Sequence, residues 1–157
     1  MNSQPAQPHL ITPGAARATN VFGVRVNVLL RGEHTGGTYC TYEAVVAPGE
    51  GPPPHLHHLD DEAFYVLEGE FEVLLGDKVT RAGAGTYVYL PRLVPHTFKN
   101  VGTTIGRLLG TATPAGHEHF FEDVDRLSHN GPPSLEEGIA VSRKHGIEIL
   151  LPAQAPA

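Results

Sequence analysis

Two histidine-bearing segments, about forty residues apart, constrain this 157-residue chain more than any other feature. The first reads GEGPPPHLHHLDDE from Gly49 to Glu62 and runs on to Gly69. The second reads GTYVYLPRLVPHTFKN from Gly85 to Asn100. His55 and His57 stand two apart, so on an extended segment their imidazoles leave the same face. Glu62 adds a carboxylate and His96 a third imidazole. Three neutral nitrogens and one oxygen form a donor set suited to a divalent transition metal. Pro52, Pro53 and Pro54 hold the chain extended before His55, which reduces the backbone freedom lost on fixing the rings. The polar stretch His58-Leu-Asp-Asp61 can turn, so that His57 ends one strand and Glu62 starts another with its parity reset. Pro91 and Pro95 bracket a loop that delivers His96 to the start of a further strand. The expectation is a metal in a barrel mouth, bound from two hairpins.

The rest of the chain reads as all-β. From Val21 to Thr113, short β-branched and aromatic runs are broken by Gly or Pro, without an amphipathic helix among them. The runs are FGVRVNVLL, TYCTYEAVV, AFYVL, EFEVLL, KVTR, TYVYL, HTFKN and IGRLLGTAT. Glu68-Gly69 and Gly76-Asp77 read as tight turns of antiparallel hairpins. Such spacing predicts a jelly-roll or barrel rather than βαβ units. Residues 1–20, rich in Pro, Ala and Gln, are expected to be a tail or arm. Residues 21–113 are the barrel, and 114–157 a helical extension of the same domain. In that extension Phe120, Val124 and Leu127 share one helical face. Ser134 and Glu137 form a capping box that opens a second helix, ending near His145 at Gly146. The following IEILL is either a strand or an extended tail.

Other candidate groups are set aside on physical grounds. His58 points to the face opposite His55 and His57. His117 and His119, on a helix, diverge by about 200°, so one metal cannot take both. His9, His34, His129 and His145 fall in tails, loops or a helix end. Cys40 is the only cysteine, which excludes an intrachain disulfide and suits a buried, inert thiol in a reducing compartment. A net charge of -6, with no basic block, argues against nucleic-acid or anionic-membrane binding. Val21–Leu30 is too short to span a bilayer, and the N-terminus lacks a signal-peptide pattern. The expectation is a cytoplasmic protein without a membrane or nucleic-acid partner.

The two segments together resemble the motifs of the cupin superfamily. The first fits G-x5-H-x-H-x4-E-x6-G at Gly49, His55, His57, Glu62 and Gly69. The second fits G-x5-P-x-G-x2-H-x3-N at Gly85, Pro91, His96 and Asn100, with Leu93 in place of the motif glycine. The resemblance is to small single-domain cupins of the quercetinase (quercetin 2,3-dioxygenase) type. It implies a double-stranded β-helix or jelly-roll barrel and a homodimer. It also implies His55, His57, Glu62 and His96 as ligands to one metal ion, which Fe, Mn, Ni, Co, Cu and Zn all satisfy.

Three function classes follow. The first is a metal-dependent dioxygenase using O2 on an enolisable or aromatic small molecule, with Glu62 as general base as well as ligand. The second is a metal-dependent isomerase or lyase on a polar metabolite, and the third a non-catalytic small-molecule-binding cupin. Phe64, Val66, Phe71, Val73, Tyr87, Tyr89 and Phe98 surround the predicted site, which favours a hydrophobic substrate. Arg25, Arg92 and Arg107 are the candidate anion hooks.

Overall fold

A computed structural model of the chain describes residues 5–152, and its strands fall into two facing antiparallel sheets. The first sheet contains β1 (Ala18–Val21), β2 (Val24–Leu30), β3 (Cys40–Val46), β10 (Gly106–Thr113), β5 (Asp61–Glu68) and β8 (Tyr87–Leu90), in that order. The second runs β11 (Ile147–Ile149), β4 (His55–His57), β9 (His96–Asn100), β6 (Glu70–Leu75) and β7 (Lys78–Gly83). Period-two alternation decides what each strand buries. Cys40, Tyr42, Ala44 and Val46 of β3 face inward, as do Glu62, Phe64 and Val66 of β5. Phe71 and Val73 of β6 close the core from the opposite sheet. The all-β cupin architecture expected from the two motifs is the one observed.

Three local expectations change. Glu68-Gly69 is not a hairpin turn, because β5 and β6 belong to different sheets. Gly69, at φ 94, carries the chain across, and a Cβ there would lie 2.8 Å from the Cα of Gly106. Gly76-Asp77 does close a hairpin, with Leu75 opposite Lys78. The run FGVRVNVLL is broken at Phe22-Gly23, which join β1 to β2 as a two-residue turn. Strand β1 therefore starts at Ala18, inside the stretch read as an arm, with Thr19 buried and its hydroxyl donating to Val26. A one-turn helix, α1 (Gly32–Thr35), separates β2 from β3.

After β10 come α2 (His117–Leu127) and α3 (Leu135–Lys144). Helix α3 opens on the expected reciprocal cap, Glu137 N–H donating to Ser134 Oγ at 3.2 Å and Ser134 N–H to Glu137 Oε2 at 2.8 Å. It ends at His145, and Gly146 takes φ 71. The terminal IEILL resolves as a strand over its first three residues: Ile147 pairs with His57 and Ile149 with His55. The extension thus completes the sheet that carries the histidines. No described helix is long and apolar enough to cross a membrane.

Candidate metal centre

Strands β4 and β9 are neighbours in one sheet, with His55 directly opposite His96. His57 leaves the same face of β4 as His55, and Glu62 reaches in from β5 of the facing sheet. The four donors therefore come from two adjacent strands and one opposed strand, not from two separated hairpins. The imidazole centroids lie 5.2, 4.4 and 5.0 Å apart for the pairs His55–His57, His55–His96 and His57–His96. One donor atom from each of the four side chains falls within 4.8 Å of the others. Glu62 Oε2 stands 3.6 Å from His57 Nε2 and 3.4 Å from His96 Nε2.

Hydrogen bonding fixes the tautomers. His55 Nδ1 faces the Pro53 carbonyl at 2.8 Å, His96 Nδ1 the Val94 carbonyl at 2.9 Å, and His57 Nδ1 the Asp60 carboxylate at 2.9 Å. Carbonyl and carboxylate oxygens only accept, so each Nδ1 carries the proton and donates it. Every Nε2 is then left with a lone pair turned inward. His57 Nε2 and His96 Nε2 are buried without a partner. A buried polar atom left unsatisfied costs about 1–3 kcal/mol, and a cation placed among these atoms removes that cost. The cluster fits a single metal ion.

Burial, with the neighbouring imidazoles, holds His55 well below the ordinary histidine range. Burial also lowers His57, against the opposing pull of Asp60. For His96 burial acts downward too, but the Glu62 carboxylate, 3.4 Å from Nε2 and favouring a proton there, outweighs it and the net shift is upward. Burial pushes the Asp60 carboxyl up, yet the His57 hydrogen bond and the nearby His117 carry it below its usual value.

Three residues of the centre were not identified from the sequence. Asp60, read only as part of a turn, orients His57 in the way carboxylates orient metal-binding histidines. Tyr42, twenty residues before Glu62, donates its hydroxyl to Glu62 Oε1 and so leaves Oε2 turned, with the Nε2 lone pairs, toward the centre of the cluster. Gly110 makes room for it, since a Cβ there would lie 2.2 Å from the Tyr42 ring. His117 is not among the four donors, but it is buried, stacks on His57 at 4.9 Å, and lies 3.5 Å from Asp60. His119 is solvent-exposed, as the helical spacing required. The alternation of β3 was the one available signal for Tyr42, and nothing local could say which strand it faced.

A narrow cavity of about 80 Å³ opens beside the cluster. Phe98 is the one member of the seven expected apolar residues that lines it. Phe64, Val66, Phe71 and Val73 are buried core, whereas Tyr87 and Tyr89 point outward from the edge strand β8. The other walls come from parts of the chain not assigned to the site: Val21 and Phe22, Phe120 and Phe121 of α2, and Ile147 and Ile149 of β11. No arginine or lysine is among the described lining residues. Arg92 is paired with Asp61, whose carboxyl it holds down to about 2, and Arg107 is paired with Glu43 at 2.8 Å. Arg25 reaches Asn27 at 3.3 Å, so none of the three acts as an anion hook in this cavity. Cys40 is buried, as expected, its thiol pushed up to about 12 by burial and by Glu118.

Residues 42–111 match the cupin domain family. Protein SchB of Streptomyces halstedii is 39% identical over 66 residues, which are 42% of this chain and 48% of SchB. The matched segments span between 20% and 66% of the length of the curated relatives. KdgF from Halomonas sp. superposes with a TM-score of 0.65 at 17% identity, over 72% of this chain and 99% of that one. The polyketide cyclase RemF from Streptomyces resistomycificus gives 0.59 at 23% identity, over 68% and 80%. At these identities the structural likeness speaks for the fold alone. Residues 42–111 thus resemble a cupin domain in sequence, the whole barrel shares the fold of these neighbours, and in its interior a buried His/Glu cluster fits one metal ion.

Proposed function

We propose that this chain is a metal-dependent enzyme acting on a small, largely apolar, enolisable molecule, with His55, His57, Glu62 and His96 binding one divalent transition metal ion. The observation that carries this reading is a carboxylate set beside orphaned imidazoles at the wall of a cavity without cationic lining. When bound, the metal supplies Lewis acidity, which makes a substrate hydroxyl or enol easier to deprotonate. Glu62 receives that proton at Oε2, while the Tyr42 hydroxyl holds Oε1 and keeps the carboxylate aimed. Asp60 keeps His57 in one tautomer throughout. The apolar walls exclude water and seat a flat hydrophobic ring system. A phosphorylated substrate would find no lysine or arginine among the described lining residues.

The fate of the activated substrate separates two reactions. Dioxygenation of a flavonol-like compound follows from the resemblance of the motifs. Ring closure or isomerisation without oxygen is favoured by the fold shared with the polyketide cyclase RemF and by 30% identity over 82 residues to the polyketide synthase CurC of Streptomyces cyaneus. The test is turnover of an enolisable aromatic panel by metal-loaded protein, with O2 uptake followed in air and product formation followed anaerobically. Oxygen uptake that stops with His96→Ala supports the first, and anaerobic product the second. Tight binding with no product in either atmosphere would reduce the chain to a binding module. A cytoplasmic homodimer belongs to the same proposal, and light scattering of the purified protein reads the dimer.

A further inference from the structure

We propose that Phe22, at the turn between β1 and β2, sets the length of ligand that the metal cavity accepts. This rests on the apolar-ligand reading above and adds a residue that decides among such ligands. Among the described residues, Phe22 alone lines both the metal cavity and a surface groove formed by Asn20, Gly23, Ser128, Gly131, Pro132 and Pro133. It is the partition between them.

Its backbone is unusual for its side chain. Phe22 takes φ 52, in the left-handed region where a two-residue hairpin turn ordinarily places Asn, Asp or Gly. An aromatic residue there signals a demand from the surroundings that outweighs local preference. The surroundings supply it: the ring lies 6.3 Å from that of Phe120 on α2. On its other side is α3, where a Cβ at Gly138 would stand 3.3 Å from the Phe22 ring edge. The turn is also pinned in place. Asn20 N–H donates to Asp125 Oδ1 of α2 at 2.8 Å, and Gly23 N–H donates to Asn20 Oδ1 at 2.8 Å. The ring is thus a positioned wall that a ligand one ring longer than the cavity must displace.

The experiment compares zinc-loaded wild type with Phe22→Gly and Phe22→Leu, using fluorescence titration of 3-hydroxyflavone and of a benzo-extended analogue one ring longer. Glycine suits the left-handed turn, leucine retains an apolar wall, and thermal melts verify folding of each variant. Phe22→Gly is expected to shift the affinity ratio at least tenfold toward the longer probe, with Phe22→Leu between it and wild type. If 3-hydroxyflavone binds all three proteins and the ratio is unchanged in the folded variants, the role of Phe22 is overturned while the apolar-ligand reading stands. If neither probe binds any of the three, that reading fails and this inference falls with it.

Discussion

Leu93 occupies the motif's glycine position and takes φ 67, in the left-handed region that favours glycine. Its N–H donates to the His57 carbonyl at 2.8 Å, which ties the loop that presents His96 to the end of β4. A left-handed leucine costs about 1–2 kcal/mol, and glycine gives back roughly half of that through the freedom of the unfolded chain. Leu93→Gly should therefore stabilise the protein by about 0.5–1 kcal/mol in urea titrations, with metal content unchanged. Tyr42→Phe should do the reverse: the fold stays intact, but without the hydroxyl on Oε1 the carboxylate is free to turn. Loss of such an orienting contact typically weakens metal binding by about 10–100-fold, read by competition with a metal indicator. The four proposed donors were legible because their spacing is local and each sits within a motif. Tyr42 and His117 were not, because their roles depend on which strand and which helix end up facing β4 and β5; Asp60 stands only three residues from His57, but the turn that folds its carboxylate back onto Nδ1 is not written in that spacing.

Glu68-Gly69 shows where reading elements from sequence stops. A turn dipeptide between two alternating runs looks the same whether the chain reverses within a sheet or crosses to the other one; only the pairing of β5 with β8 and β10 decides it. The C-terminal extension was likewise readable as helix, cap and helix stop, but not as a cavity wall. That assignment comes from β11 pairing with β4 and from the docking of α2. The docking has a buried anchor. Glu118 accepts from Gly32 N–H and from Gly116 N–H, each at 2.8 Å, tying the start of α2 to α1. Burial works to raise its carboxyl, yet these backbone donors bring it below the ordinary glutamate value. A depressed carboxylate contributes stability above its unfolded value of about 4.5, and that contribution fades as pH falls through the folded value. Glu118→Gln should cost about 1–3 kcal/mol at neutral pH, as expected for hydrogen bonds to a buried charged group. Its deficit relative to wild type should shrink on acidification below about pH 4.5. A deficit that stays constant across an acid denaturation series would show that the charge is not what Glu118 contributes.

At the scale of the whole molecule, the histidines belong to one sheet and Glu62 to the other, so a bound ion would clamp the two halves of the barrel. By mass action, metal at a hundredfold its dissociation constant adds about 2.7 kcal/mol, or roughly 5–11 °C of melting temperature for a domain of this size. Stripping the metal with a chelator should remove that increment. Its pH dependence can be worked out from the metal-free protein. There His96, raised by Glu62, forms an ion pair whose contribution is fully present below the unfolded histidine value and is lost as pH rises through the raised folded value. His55 and His57, lowered chiefly by burial, act in the opposite sense: their contribution is present above the unfolded value and lost as pH falls toward their folded values. These effects belong to the metal-free protein, so metal-free melts run at each pH give the baseline. The metal term is the gap between loaded and metal-free melts. Metal and protons compete for the same Nε2 atoms, and His96, with its raised value, is the last to release its proton, so that gap should widen as pH rises through and above about 6.5 and narrow on acidification. Calorimetric melts of loaded and stripped protein across that range measure it directly. A gap of constant size would mean that the ion is held by something other than these imidazoles.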